Sequence, residues 1–319
     1  MQRARKAWTG LARLCAEYGR SRLSFFLDLI WCRVRYQVDL TEYDQYRFPT
    51  LSAVERARIV PARVKPSLEA KYNGTQDIYT IRDKAVFLQR YSAFVHRAWL
   101  DCRAADEHAV LDFLTQHPDV IVKPVQLQKG EGIRRERHLT PAARLALSRT
   151  LANTPSLLEE RIFQSPDLAQ LNDDASVNTV RVLAVRDRSG TVHLLGATLR
   201  VGVKGTVTDN FAGGGIAYPI DLPTGTVRAA GVDISKAHYL RHPGSGQIMP
   251  GFQIPHWGAM EPFIRAAMDI LPSVRYVGWD VAILDTGLTL IEGNDDAAVR
   301  TIQLVREEGG LLADLQKYV

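Results

Sequence analysis

The chain has 319 residues, a formal net charge of +5, and ordinary hydrophobic (46%) and charged (24%) fractions. This composition is typical of a folded soluble protein with one large core or two to three subdomains. The most apolar short run, residues 24–31, is too short to span a membrane and contains Asp28. Three widely spaced cysteines lack the spacing of a metal site or a disulfide framework, so we expect a reducing, cytoplasmic location.

The positive charge is concentrated at the start of the chain, where residues 1–38 hold eight Lys or Arg and two acids. Six apolar residues recur there at helical spacing and predict one apolar stripe: Leu23, Phe26, Leu27, Ile30, Trp31 and Val34. This helix either docks on the main domain with its arginines solvated, or contacts an anionic membrane surface or a partner. Nucleic acid is not expected as a ligand, because no recognisable binding module accompanies the basic end.

Residues 277–294 are the stretch around which the rest of the chain is organised. Two apolar, β-branched runs flank the segment Asp285–Gly287, which predicts a β-hairpin with a three-residue loop and Leu284 paired with Leu288. Counting back along both strands places Asp280 opposite Glu292, because side chains alternate between the two faces.

This hairpin is a candidate metal site. In the predicted register, Asn294 shares a face with Asp280 and Glu292, and the two carboxylates lie about 5 Å apart. Oxygen ligands from two carboxylates and an amide suit Mg²⁺. The alternative is an edge hairpin whose acidic side chains face water.

Two lysines upstream are candidate phosphate ligands. Lys84 lies in the first turn of a predicted helix, where a cation opposes the helix dipole unless an anion binds nearby. Lys123 ends the short strand Val120–Pro124, and the loop after it contains Gly130 and Gly132, whose backbone can approach oxyanions closely. The alternatives are a surface lysine and a hairpin turn that needs glycine for its geometry.

Two arginines interrupt apolar strands. Arg181 lies in the predicted strand 176–185 and Arg200 in the predicted strand 194–201. A guanidinium in such a position can bind a carboxylate or phosphate through two hydrogen bonds. A structural Arg–Asp pair is the simpler alternative.

Taken in order, these motifs resemble the ATP-grasp proteins, and most closely the sugar-transfer-associated ATP-grasp family. The residues that carry the resemblance are Asp83-Lys84, Val122-Lys123-Pro124, Leu158-Glu159-Glu160, Arg181, Arg200, Asn210, Gly278-Trp279-Asp280, Glu292 and Asn294. The resemblance implies an α+β fold, with two subdomains that grip ATP and a helical N-terminal region. The expected boundaries are 1–82 for that region, 83–163 for the small subdomain and 164–319 for the large subdomain.

The resemblance also implies a role for each candidate site residue. The phosphates would be held by Lys84, Lys123 and the loop with Gly130 and Gly132, and the adenine hinge would contain Glu159, Glu160 and Ile162. One or two Mg²⁺ ions would be bound by Asp280, Glu292 and Asn294. The transferred phosphate would lie near Arg200 and Asn210, and Arg181 would hold a substrate carboxylate. Some relatives carry an arginine at the position of Gly278; either Arg200 or Arg275 would compensate for it, or the acyl substrate would be held differently.

The implied activity is ATP-dependent ligation of a carboxylate to an amine through an acylphosphate, on a small-molecule or sugar-linked substrate. The alternative is an ATP-binding protein without ligase activity that serves surface-polysaccharide assembly. The intact set of lysines and oxygen ligands favours the enzyme, since a scaffold needs no metal site.

Overall fold

The computed structural model describes residues 14–74, 77–125, 132–173, 176–203, 209, 211–297, 299–306 and 309–318. The fold is α+β, as predicted, and contains two antiparallel sheets. Two compact units are formed, one by Asn73–Ala298 and the other by Met1–Tyr72 together with Val299–Val319. The predicted subdomain boundaries stay a prediction.

The described helices and strands alternate irregularly along the chain. The α-helices are α1 Arg22–Arg35, α2 Leu40–Gln45, α3 Ala53–Arg58, α4 Lys65–Tyr72, α5 Ile78–Arg82, α6 Lys84–Arg90, α7 Glu107–Gln116, α8 Pro141–Leu151, α9 Pro166–Ala169, α10 Met260–Ile270, α11 Val299–Val305 and α12 Leu312–Lys317. Short 3₁₀ turns cover Phe48–Thr50, Ser92–Phe94, Phe211–Gly213 and Trp257–Ala259. The strands are β1 Trp99–Asp101, β2 Asp119–Pro124, β3 Arg134–Arg137, β4 Ser156–Glu160, β5 Thr179–Arg186, β6 Val192–Val201, β7 Ile216–Ile220, β8 Gly231–Val232, β9 His238–Tyr239, β10 Tyr276–Leu284 and β11 Gly287–Asn294.

The small sheet has the strand order β1-β4-β2-β3, and all of its neighbouring strands are antiparallel. Val120, Val122 and Leu158 belong to a buried cluster with residues of α7 and α8. Because side chains alternate along a strand, Lys123 and Glu159 lie on the opposite face. The small sheet thus has one apolar face packed on helices and one face that carries charge.

The large sheet has the order β11-β10-β5-β6-β7-β8-β9 and is antiparallel throughout. Nearly every residue of β5 and β10 is buried, as expected for central strands covered on both faces. Helix α10 buries a stripe with helical spacing against this core: Met260, Ile264, Ala267 and Met268. Trp279 of β10 is fully buried and packs edge-on against Tyr91, with ring centroids 5.5 Å apart. Buried, closely packed strands therefore hold the polar residues of the candidate site.

In the β10–β11 hairpin, Asp280 and Glu292 are paired as predicted, but the turn is shorter than predicted and one strand contains a bulge. The turn has two residues, since Leu284 pairs with Gly287 rather than with Leu288, and Gly287 has a positive φ of 139°. A β-bulge between Asp280 and Val281 then restores the register, because Val281 pairs with Leu290 while Asp280 pairs with Glu292. The predicted loop length was wrong, whereas the predicted pair Asp280–Glu292 is confirmed.

In the unit formed by Met1–Tyr72 and Val299–Val319, the buried face of α1 is not the face that the sequence pattern indicated. Phe25 and Cys32 of α1 are fully buried and pack in a cluster with Tyr43 and Phe48. All six residues of the predicted apolar stripe are exposed, with exposed fractions between 44% and 74%. Of the two alternatives, docking through this stripe is not seen among the described residues, because α1 packs through its opposite face. None of the described helices is both long and apolar enough to cross a membrane.

Candidate functional site

Four neighbouring strands bring charged side chains to one face of the large sheet. Glu292 of β11 lies opposite Asp280 of β10, and Asp280 lies opposite Arg181 of β5. Arg200 of β6 lies opposite Thr179, two residues before Arg181 on β5. Since residues two apart share a face, the four charged side chains converge, although they are far apart in sequence.

Asp280 is buried and is neutralised by both arginines. Arg181 donates through Nε and Nη2 to the two carboxylate oxygens, and Arg200 Nη2 lies 2.9 Å from Oδ2. Burial would raise the pKa of Asp280, but the two guanidinium groups outweigh it and lower the pKa. The structural Arg–Asp pair, considered above as the simpler alternative, is therefore present, and it involves both arginines.

Asp209 extends this network and was missed in the sequence. Its carboxylate accepts hydrogen bonds from the backbone N–H of Thr179, at 2.9 Å, and from the Thr179 hydroxyl, and lies 3.4 Å from Arg200 Nε. Arg200 Nη2 donates to the same hydroxyl at 2.6 Å. Burial raises the pKa of Asp209 despite these partners. The segment from Asp209 to Gly215 gave no sign of this role, because an acid beside a glycine-rich loop usually faces solvent.

Glu292 differs from Asp280 in having no ion pair with a described residue. Its hydrogen-bond donor is Asn294, whose Nδ2 lies 3.3 Å from Oε1. Burial raises the pKa of Glu292, and the nearby charge of Asp280 raises it further. A buried, ionised carboxylate that has no ion-pair partner is stabilised by a nearby cation.

The donor set fits a hard divalent cation. Glu292, Asn294 and Asp280 offer carboxylate and amide oxygens on one sheet face, which are the ligands that Mg²⁺ prefers. Among the described residues, no group of three or more His, Cys, Asp or Glu side chains is placed to hold a metal. A cation at this site would therefore be coordinated by Glu292 and Asn294. Asp280 would bind both this cation and the two arginines.

Both candidate lysines lie in the same unit as these carboxylates. Lys123 Nζ forms an ion pair with Glu159 at 2.8 Å, and Lys84 Nζ donates to the backbone carbonyl of Pro124 at 2.9 Å. Burial lowers the pKa of Lys84, and Lys123 acts in the same direction, whereas the charges of Glu292 and Glu159 raise it. Lys84 is consequently not a surface lysine, and its ammonium lies within electrostatic reach of Glu292.

Arg97 connects the small sheet to the β10–β11 hairpin. Its guanidinium is buried, and Nε lies 2.5 Å from Glu159, while Nη1 and Nη2 donate to the carbonyls of Leu290 and Ile291 at 2.7 and 3.3 Å. Burial alone would raise the pKa of Glu159, but Arg97 and Lys123 lower it to about 2. Sequence reasoning missed Arg97, although an arginine two residues before strand β1 was an available signal.

The residues predicted to form the adenine hinge have different surroundings in the structure. The carboxylate of Glu159 is occupied by Arg97 and Lys123, whereas Glu160 accepts a hydrogen bond from the backbone N–H of Ala98 at 3.1 Å. Ile162 lines a cavity of about 240 Å³, together with Glu160 and side chains that include His96, Phe163 and Leu284. Gly132 has a positive φ of 71°, whereas Gly130 and Asn210 lie outside the described residues. The roles assigned to these residues stay predictions.

Gly278 marks the point where this chain departs from relatives that carry an arginine. A Cβ atom built there would lie 2.9 Å from the Cβ of Ala297 and 3.4 Å from Cδ of Arg181. The space beside Gly278 is therefore occupied first by Ala297 and then by the Arg181 side chain of the neighbouring strand. Of the two substitutes expected from the sequence, Arg200 does bind Asp280, whereas Arg275 Nε donates to the carbonyl of Arg186.

Two antiparallel sheets that carry lysines, arginines and carboxylates in one unit are the features expected of an ATP-grasp protein. The sequence profile of the family described as sugar-transfer-associated ATP-grasp matches residues 63–318. The chain therefore belongs to the sugar-transfer-associated ATP-grasp family. The predicted family and fold are confirmed by this match.

Solved ATP-grasp structures are similar to the chain, but only distantly. The ligase PsnB, complexed with precursor peptide PsnA2 and AMPPNP, is 17% identical, with a TM-score of 0.47 and coverage of 88% of this chain and 74% of PsnB. N5-carboxyaminoimidazole ribonucleotide synthetase from Thermus thermophilus is 13% identical, with a TM-score of 0.45, and the match covers 75% of this chain and 52% of the synthetase. The chain thus spans about half the length of that synthetase. No curated protein matches the sequence significantly.

Proposed function

We propose that the protein is an ATP- and Mg²⁺-dependent ligase that joins a carboxylate to an amine through an acylphosphate. The observation that carries the proposal is that Lys84, Lys123 and Arg200 lie within electrostatic reach of Glu292, which is hydrogen-bonded to Asn294, in one unit. Family membership supports ATP as the nucleotide.

The charges of the site suit transfer of a phosphoryl group. In the proposed first step, a substrate carboxylate oxygen attacks the γ-phosphorus of ATP, the bond to the bridging oxygen breaks, and ADP leaves. This step requires positioning and charge neutralisation rather than a protein nucleophile. Lys84 and Lys123 would bind phosphate oxygens, and a bound Mg²⁺ on Glu292 and Asn294 would neutralise the charge that develops between the β- and γ-phosphates.

The arginine network suits the transferred group. Arg200 shares its guanidinium between Thr179, Asp209 and Asp280, so its position is fixed before any substrate binds. A preorganised cation stabilises a developing phosphate charge without reorganising during the reaction. In the second step, an amine attacks the acyl carbon, phosphate leaves and an amide forms.

The test is a search for carboxylate-dependent ADP formation. Purified protein with ATP and Mg²⁺ is offered a panel of carboxylic acids, with hydroxylamine as a general amine that converts an acylphosphate into a hydroxamate, which is detected as its coloured iron(III) complex. We expect at least one acid to increase ADP formation and to yield the hydroxamate. Tight binding of ATP without ADP formation across the panel would instead support the non-ligase scaffold of surface-polysaccharide assembly.

A further inference from the structure

The outer face of α1 is an exposed apolar stripe, which is formed by Leu23, Phe26, Leu27, Ile30, Trp31 and Val34. At about 100° per residue these six side chains cover an arc of about 140°. The core-facing residues Phe25 and Cys32 lie on the opposite side of the helix. A helix that is apolar on both sides normally lies inside a protein or at an interface, yet no described residue buries this outer side.

Cations border the stripe on both sides. Arg22 and Arg33 lie along one edge of the helix and Arg35 lies along the other, and all three side chains are exposed. The one acid of α1, Asp28, is turned towards the core, where Arg56 Nη1 binds it at 2.8 Å and the Tyr43 hydroxyl donates to it. The exposed face therefore combines apolar and positively charged side chains and carries no negative charge.

The composition of this face matches an anionic lipid surface. Interfacial helices bury Leu, Phe and Trp at the boundary between headgroups and acyl chains and place Lys and Arg at the anionic headgroups. The segment that precedes the described residues, 1–13, adds four Lys or Arg and no acid to the same end of the sequence. A second copy of the chain fits less well, because symmetric pairing of two such stripes would bring arginine rims together.

We propose that the exposed stripe of α1, with its flanking arginines, binds peripherally to a membrane surface that contains anionic phospholipids. Binding is reversible and depends on both burial of the stripe and attraction of the arginines. This surface belongs to the N-terminal unit, so the proposal is independent of the ligase activity.

The test uses the full chain and flotation with vesicles of phosphatidylcholine, either alone or mixed with phosphatidylglycerol. We expect the protein to float with the mixed vesicles and to be released at high salt, because the attraction is screened. Leu27→Ser combined with Trp31→Ser should weaken flotation about tenfold or more, since both exposed side chains would enter the interface. Replacing Arg22, Arg33 and Arg35 by Gln should reduce binding to mixed vesicles in particular.

A matched control is Leu240→Ser, which removes an apolar side chain of similar exposure, 64%, in the other unit. Its flotation should equal that of the unchanged protein, and circular dichroism should report folded protein in every variant. Equal flotation of the stripe variant and the control would overturn the proposal. So would an absence of flotation combined with a dimer, seen by light scattering, that the stripe substitutions dissociate; that result would assign the surface to a second copy of the chain.

Discussion

Asp280 and Glu292 face each other across the β10–β11 hairpin, but their electrostatic surroundings differ. Burial would raise the pKa of Asp280, and Arg181 and Arg200 reverse this effect. Burial also raises the pKa of Glu292, where the charge of Asp280 adds to the effect rather than opposing it. One carboxylate is thus neutralised within the protein, whereas the other would be stabilised by a cation bound at the proposed metal site.

The first prediction concerns this second carboxylate. Glu292→Gln should lower Mg²⁺-dependent ADP formation roughly a hundredfold or more, because an amide cannot supply the anionic ligand. The fold should be retained, since Gln has the same shape and the charge it removes is disfavoured in the folded protein. Steady-state ADP formation and circular dichroism measure the two effects. The control is Glu261→Gln on the exposed side of α10, which should behave as the unchanged protein; ADP formation near its normal rate in Glu292→Gln would refute the metal assignment.

The second prediction separates the two carboxylates by the pH dependence of stability. The folded-state pKa of Asp280 is lowered, so its contribution is present above the unfolded pKa and is lost as the pH falls through the folded value. Asp280→Asn should therefore cost about 3–5 kcal/mol at neutral pH, because the buried Arg181 loses its carboxylate partner and Arg200 keeps only Asp209.

Glu292 should show the opposite sign. Its folded-state pKa is raised, so the folded protein loses stability as the pH rises from the unfolded pKa towards the folded value. Glu292→Gln removes that loss and should leave the neutral-pH stability equal or higher. Urea unfolding in the presence of a chelator, over about pH 4 to 8, measures both variants. Similar losses of stability in the two variants at neutral pH would contradict the difference in charge state.

The hairpin shows how far sequence reasoning reaches. Alternation of apolar residues placed Asp280 opposite Glu292, although the turn is one residue shorter than expected and the bulge adds one residue. The two deviations cancel in the register. The bulge carbonyls of Leu290 and Ile291 are bound by Arg97, which is almost two hundred residues away in sequence, so local patterns could not reveal it.

The same limit applies to α1 and to Gly278. Helix α1 has apolar residues on two opposite sides, and periodicity alone does not tell which side meets the core. Gly278 looked like the loss of an arginine, and only the structure shows that Ala297 and the Arg181 side chain of β5 lie against it. Residue types and their order predicted the fold and most of the candidate site, whereas contacts between distant strands had to come from the structure.

The third prediction concerns Lys123. Lys123→Ala should raise the dissociation constant for ADP about tenfold to a hundredfold, because a hydrogen bond to a charged phosphate is lost. Adenosine binding should not change, since adenosine has no phosphate. Calorimetric titration with both ligands measures the effect, and the control is Lys71→Ala on the exposed side of α4. An equal loss of affinity for ADP and adenosine would indicate damage to the fold rather than a lost phosphate contact.

The fourth prediction concerns Arg97 and Glu159, which form a buried ion pair with a distance of 2.5 Å. Arg97→Met should lower the free energy of unfolding by about 3–5 kcal/mol, because Glu159 loses a partner and the carbonyls of Leu290 and Ile291 lose their donor. Glu159→Gln should also destabilise, since Arg97 and Lys123 would then face an uncharged amide. The double variant should be more stable than the sum of the two losses predicts by at least about 1 kcal/mol, because the residues interact directly. Urea unfolding of the four proteins gives this coupling energy, and strictly additive losses would show that Arg97 stabilises the hairpin without Glu159.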